Sequence, residues 1–455
     1  GREGLRLDHR RYAGRSERVT QAAEYVEQFR KFAANGGGEA PEWVRALRSS
    51  ALDRFTQLGF PTTKNEDWHF TSVAPIAEHG FSPLTTPSGD VRRTDLEPYI
   101  FPIADDWHLA VFVNGRFAPE LSHLENLPPG VRVIPLARAW TEAPELAERV
   151  GSVASFDAQT FTALNTAFVQ DGAAVHVAAD VVVERPIHLM FVTDRHAANS
   201  VAYPRNLVVA DRHSKATVIE SYVGLADVKY FTNAVSEVLV GAGATLTHYK
   251  MQREGSQAYH VGSLEARQER DSHFVSFSLA IGAALSRTNI STVLGGAGCG
   301  TTLNGLYMLD GTQHGDHQTR IEHAQPNCFS RQLYKGVLDG ESHGVFNGKV
   351  YVDAIAQKTD GKQTNNTLLL SERAQIDTKP QLEIFADDVK CTHGATVGRL
   401  DDVSLFYMKS RGIGAEEARK LLTYAFAADV LETIENQAVR EGLEAMTLAR
   451  FTGVE

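Results

Sequence analysis

A chain of 455 residues, 43% apolar and 22% charged, has ample material for a buried core, and a formal net charge of −11 leaves no basic face for nucleic acid. Its three cysteines, Cys299, Cys328 and Cys391, are too few and too widely spaced for a disulfide framework, which suits a reducing, cytoplasmic setting. The most apolar stretch, AAVHVAADVVVERPIHLMFV, carries Asp180, Glu184, Arg185 and Pro186 and excludes a membrane span there. The charge-rich amino end, GREGLRLDHRRYAGRSER, has no apolar segment of the kind a secretory signal needs.

Residues 16–58 read as two helices. The second opens at Pro41, places Val44, Leu47, Ala51, Phe55 and Leu58 at helical spacing, and stops at Gly59. From about 60 to 130 the pattern is broken by Pro61, Pro75, Pro83, Pro87, Pro98 and Pro102, so irregular structure with short strands such as LAVFVNG is expected.

From VRVIPL to CTHGATVG the texture becomes short β-type runs between small turn-forming residues, with almost no helical periodicity. Ala216, Ala244, Ser272 and Gly300 follow one another at intervals of 28, and Ser342 falls in phase after a half-interval at His314. A strand-only repeat of this length describes a coiled stack of parallel strands, each coil burying its inner face on the next. An antiparallel all-β fold stays open, because Asn304-Gly305, Asp310-Gly311, Asp339-Gly340 and Asp360-Gly361 are hairpin dipeptides. After Gly398 the chain turns helical, with Glu416 and Glu417 at a helix start and Ala418, Leu421, Leu422, Ala425, Leu431 and Ile434 as an apolar stripe.

Several signatures dissolve on inspection. GESHG (340–344) matches the nucleophile elbow but is followed by the strand-like VFNGKVYVDAIA where a helix is required. GGAGCG (295–300) lacks the final glycine and the strand–helix unit of a dinucleotide loop. No P-loop occurs, so nucleotide energy would have to come from a partner. HGDHQTRIEH offers His314, His317, Glu322 and His323, read here as polar residues on a solvated turn; a metal there would need ligands from neighbouring coils.

Cys391 and His393 remain. If their segment is extended, both side chains point to one face with Cα atoms roughly 7 Å apart. Thiolate and imidazole suit iron, zinc or an iron–sulfur cluster, yet two ligands are half of a tetrahedral set. The rest must come from solvent, from elsewhere in the fold or from another chain.

PTTKNEDWHFTS (61–72) and LLLSERAQIDTKPQLEIFADDVKCTHGATVGRLDDVSLFYMKSRGI (368–413) are similar to the SufB/SufD scaffold family of the SUF iron–sulfur cluster assembly system. Within it the chain resembles the SufD branch, because SufB proteins carry a glutamate-histidine-glutamate cluster where VKCTHGATVG stands here, and no cysteine precedes Cys299. The resemblance implies a mainly β architecture: a right-handed parallel β-helix core over 131–397, a helical and mixed region over 1–130, and a helical partner-docking region over 398–455. It further implies pairing with a SufB-type scaffold, recruitment of a SufC-type ABC ATPase, and a transient iron or iron–sulfur cluster shared with SufB. His393 then matches the histidine facing a SufB cysteine, with Cys391 beside it; Phe406, Tyr407, Arg411, Gly412 and Ile413 match the ATPase-docking segment. On this reading the chain is a cytoplasmic, non-enzymatic scaffold. Two rival readings are a homodimeric β-helix binding protein and a β-helix polysaccharide lyase or hydrolase.

Overall fold

The structure, a computed structural model, describes residues 24–34, 40–84, 90–101 and 107–452. The expected helix beginning at 16 is present over 24–34; its first part, the charge-rich amino end, Pro87 and Pro102 lie outside the described residues. The second helix spans Glu42–Leu58, with Pro41 at its N-cap and Gly59, at φ +64°, closing it.

From Arg205 onward each coil contributes one strand to each of two facing sheets, giving a parallel β-solenoid of about 8 turns. The first sheet stacks Arg205–Ala210, Phe231–Val240, Tyr259–Gln268, Leu285–Leu294, His314–His323, His343–Val352 and Gln375–Ile384. The second stacks Lys215–Gly224, Thr245–Glu254, His273–Gly282, Gly300–Leu309, Phe329–Leu338, Thr359–Leu369 and Val389–Gly398. Every one of these neighbours pairs in parallel, which removes the antiparallel alternative.

The hairpin dipeptides have other uses. Asp310-Gly311 and Asp339-Gly340 are stacked corners with glycine φ of +58° and +63°, and a Cβ on Gly340 would sit 2.7 Å from the Gly311 nitrogen. Asn304-Gly305 and Asp360-Gly361 lie within strands. GESHG and GGAGCG are corners as well, with Ser342 fully buried ahead of the strand His343–Val352.

The 28-residue spacing is one value within a range and not a period. Register partners lie 28 apart at Phe231 and Tyr259, 26 at Tyr259 and Leu285, 29 at His314 and His343, and 32 at His343 and Gln375. Strand length is held at ten residues through most coils while the corners absorb the difference, so the in-phase small residues drift along the strand.

The stretch from 131 is also less uniformly strand-like than its texture implies. Helices Leu136–Glu142, Pro144–Ala147 and Thr160–Ala167 interrupt it, and His108–Val113 already belongs to the second sheet. These helices, with Glu42–Leu58, pack on the outer face of the first sheet toward the amino-terminal end of the solenoid. There Arg205 and Glu237, both 0% exposed, form an ion pair of 2.6 Å. Glu237 also accepts from the Gly151, Val153 and Ala154 amides, and Arg205 donates to Asn165 Oδ1 and Thr166 Oγ1.

Along the flank of the solenoid, helices Ala415–Leu431 and Gln437–Thr452 pack on the outer face of the second sheet through Ala427, Val430, Leu431, Ile434, Val439 and Leu443. The seam is rotated from the expected stripe: Leu421 and Ala425 are exposed, and Ala418, Thr423, Ala427 and Val430 are buried. Lys335 fixes the rotation. It rises from the sheet, donates to the Phe426 carbonyl at 2.9 Å and pairs with Asp429 at 2.6 Å, so the helix must present the 426–430 turn to the strands.

Replacing Glu237 by Ala leaves the buried Arg205 charge without its counter-ion, held only by Asn165 and Thr166, and removes the acceptor of three amides, a loss of about 3–5 kcal/mol. The expected result is a markedly lower urea midpoint for the amino-terminal end, followed by limited proteolysis; an unchanged midpoint would contradict the pinning role of this pair.

Candidate site at the open end of the solenoid

The two sheets finish differently from how they begin. Gln375–Ile384 and Val389–Gly398 are the terminal strands of the first and second sheet, each paired on one side only, and both lie at the same end of the stack. The outward backbone groups of a terminal parallel strand are free to pair with another chain. The edge of the first sheet is blunted by Lys379 and by Pro380, which has no N–H to donate. Val389–Gly398 has no proline, a single fixed charge at Lys390, and is exposed through most of its length. Exposed apolar residues rim this end: Ile355, Ile384, Phe385 and Val397.

Cys391 and His393 both sit on this last strand. Their register partners one coil below are Gly361 and Gln363, and over residues 359–367 the buried face of that strand consists of its odd-numbered residues. Cys391 and His393 therefore point toward the solenoid lumen, as the alternation predicts, but their surroundings differ. Cys391 is half-buried against Val350, Val352, Ala356 and Leu382, and this apolar setting pushes its thiol above the ordinary value. His393 is exposed at the mouth. No group of three or more metal-ligating side chains is found among the described residues, so any metal held at this mouth takes donors from elsewhere.

The lumen beneath His393 is polar. Gln363 is 1% exposed and its Nε2 donates to Gln332 Oε1 at 2.7 Å; Gln332 Nε2 in turn donates to Thr319 Oγ1. Gly348 opposite leaves room for this crossing, since a Cβ there would overlap the Gln363 amide. The two glutamines, Gln332 lying 31 residues before Gln363 and Gln363 lying 30 before His393, were hidden in segments that read only as polar strands; their common phase with His393 was the available signal.

HGDHQTRIEH is a strand and not a solvated turn. His317 and His323 are buried in the lumen, stacked on Tyr307 and bonded to Ser330 Oγ respectively, and burial lowers both to about 4. His314 faces outward. It bonds Thr71 Oγ1 at 2.9 Å, and Thr71 also donates to Asp316 Oδ2. Thr71 belongs to the PTTKNEDWHFTS segment, which straps the outer face of the first sheet: the Arg287 guanidinium lies 3.7 Å over Trp68, and Glu66 pairs with Lys379 of the terminal strand at 3.0 Å.

Helix Asp402–Ser410 follows the terminal strand, capped by Asp401 Oδ2, which accepts from the Ser404 amide. None of its residues is buried; Val403, Phe406 and Tyr407 are 73%, 72% and 58% exposed at spacings of three and four, an apolar face open to solvent. Gly412, at φ +88°, ends the helix with amide bonds from Gly412 to Lys409 and from Ile413 to Met408, so this glycine has a local structural reason. Arg411 packs on the Tyr407 ring and donates to its hydroxyl.

A parallel solenoid, bare at one end, with a Cys–His pair in its mouth and an uncovered helix beside it, has the form of a scaffold-type protein. Family models agree: residues 191–426 match the SufBD core domain of SUF iron–sulfur cluster assembly, and residues 19–189 match the SufBD amino-terminal region. The chain is 34% identical over 423 residues to the iron–sulfur cluster assembly protein SufD of Escherichia coli, covering 92% of this chain and 94% of that protein. It is 29% identical to SufD of Bacillus subtilis, covering 89% and 93%. A SufBD family protein of Synechocystis is 34% identical over 85% and 86% of the two chains. The chain belongs to the SufBD family and is of the SufD type, and iron or an iron–sulfur cluster is the cargo such a family implies. No helix among the described residues is long and apolar enough to cross a membrane.

The three thiols should separate by reactivity. Cys299 and Cys328 are fully buried and Cys391 only half, so a water-soluble disulfide reagent should label Cys391 alone in the native chain. Its raised pKa keeps the reactive thiolate scarce near neutrality, so the rate should climb with pH beyond the point where a free thiol has levelled off. Labelling of three thiols before unfolding would contradict this placement.

Proposed function

We propose that the chain is a non-enzymatic scaffold subunit that pairs through the open end of its solenoid with a SufB-type scaffold. The observation that carries this reading is the coincidence of both bare terminal strands, the apolar rim and His393 at one end of the stack. A second solenoid with a matching bare end extends each sheet, satisfies the edge hydrogen bonds and brings its own donors over the mouth. Val389–Gly398 is the better pairing strand, because Pro380 interrupts the other edge.

Within the pair His393 supplies an imidazole to iron while the partner supplies thiolate. A single imidazole is a releasable ligand, displaced by protonation or exchange, and a scaffold that hands its cargo on needs that. Cys391, turned toward its apolar cluster, is secondary. The uncovered face of Asp402–Ser410, with Arg411 and Ile413, receives a SufC-type ATPase in the cytoplasm; closure of that partner would strain the scaffold pair and change access to the mouth. Two bare edges also suit a second copy of this chain, and a homodimer is the resting arrangement to expect when the scaffold partner is missing.

Co-expression with SufB-type and SufC-type partners separates these roles. His393→Ala should leave the fold and both partners bound but lower cluster maturation at least tenfold, whereas Phe406→Asp should release the ATPase and keep the scaffold pair. Undiminished maturation by His393→Ala would reject the ligand assignment; ATPase retained by Phe406→Asp would reject the docking face.

A further inference from the structure

The amide ladder in the lumen has a direction. Gln363 Nε2 donates inward to Gln332 Oε1, and Gln332 Nε2 donates onward to Thr319, so each amide turns its donor toward the interior. A ladder of that polarity ends on an acceptor at its outer rung. Gln363 Oε1 is that acceptor. It is a buried carbonyl oxygen with no hydrogen-bond partner, on a side chain 1% exposed. A buried amide oxygen left unmet costs about 1–3 kcal/mol, so a donor is called for at this spot.

His393 is the residue directly above. It occupies the next rung of the same in-register column, about 4.8 Å along the stack. The lumen-facing neighbours on the same strand, Cys391 and Ala395, lie over Gly361 and Asn365, and neither offers Gln363 a strong donor. Across the lumen the corresponding position is Pro380, in register with Gly348, and proline has no N–H.

We infer that Gln363 is a positioning residue for His393: its Oε1 accepts the proton-bearing ring nitrogen and so leaves the other ring nitrogen unprotonated and facing out of the mouth. The inference rests on the reading of His393 as a ligand and gives it a mechanism. A neutral imidazole binds a metal through the nitrogen that carries no proton, and which nitrogen that is depends on the hydrogen bond made by the other. A free histidine interconverts between tautomers, so any one ring nitrogen presents its lone pair only part of the time. Held by Gln363, His393 presents one lone pair, at a fixed orientation, to an electrophile arriving at the mouth: a ferrous ion, or an iron atom of a cluster carried by the opposing scaffold. The anchoring continues to Thr319 on the facing sheet, so the ring is referenced to both walls of the solenoid.

The test reads the ring itself. Full-length chain labelled with ¹⁵N-histidine is examined by NMR at about pH 8.5, where ordinary imidazoles are neutral, and His393 is assigned by its disappearance in His393→Ala. The expected wild-type result is a tautomer ratio for His393 displaced about fivefold from that of a free histidine, the factor that a single neutral hydrogen bond sets. Gln363→Met, similar in volume but without the acceptor, should bring the ratio to within about twofold of the free value, and Gln363→Glu, which keeps an acceptor, should restore the displacement. A wild-type ratio within about twofold of the free value overturns the proposal whatever the variants do, and so does an unchanged ratio in a Gln363→Met chain whose other histidine signals are unmoved. The two readings fail separately. A fixed tautomer alongside undiminished maturation by His393→Ala would remove the ligand role and leave the Gln363 contact standing; a mixed tautomer alongside lost maturation would do the reverse.

Discussion

A stack of parallel coils satisfies its backbone only from above and below, and that constraint shapes the whole molecule. A barrel removes its edges by closing on itself, whereas a solenoid always has two ends to dispose of. Here the two are treated unequally. The amino-terminal end is finished by antiparallel strands, Val131–Pro135 on Ala173–Val177 and Arg116–Phe117 on His108–Val113, and by helices pinned through the fully buried Arg205–Glu237 pair. The carboxy-terminal end is left as two strands each paired on one side only, with an open mouth between them.

The character of the interior follows the same axis. Apolar side chains dominate the lumen near the covered end, where Ala110, Val133, Val175, Leu189 and Val208 pack together. Toward the mouth glutamines, threonines, tyrosines and histidines take over, including Gln332, Gln363, His317 and Asn365. Polar ladders are worthwhile in a lumen because in-register stacking brings a like group within hydrogen-bond reach on the next coil. They also impose a direction, and the direction of the Gln332–Gln363 pair carries the order of the interior out to the one exposed imidazole of that column.

Much of this was legible in the sequence, and the parts that were not have definite causes. The recurrence of small residues every 28 positions revealed coils because corners must be narrow, yet the true coil length ranges from 26 to 32, since only the strands and not the corners are constrained by register. The helices between 136 and 167 escaped notice because none exceeds eight residues, too short for a 3.6-residue period to emerge. The stripe through Leu421 was misjudged because Lys335, 91 residues before its acceptor Phe426, selects the helix face that meets the sheet. Cys391 and His393 stood out through their alternation; Gln363 did not, for a lone glutamine in a polar strand means nothing until the column above and below it is known. The SufD-type resemblance named the mouth, and the fold supplied the reason a mouth exists.

The central claim is that the bare terminal strands are the pairing surface, and amide hydrogen exchange tests it directly. In the chain alone, outward-facing amides of Val389–Gly398 should exchange rapidly while those of Arg205–Ala210 are protected. In complex with a SufB-type scaffold, the amides of Val389–Gly398 should slow by at least an order of magnitude, with a smaller change in Gln375–Ile384 on either side of Pro380. A stable complex that leaves both strands exchanging as freely as before would contradict the account.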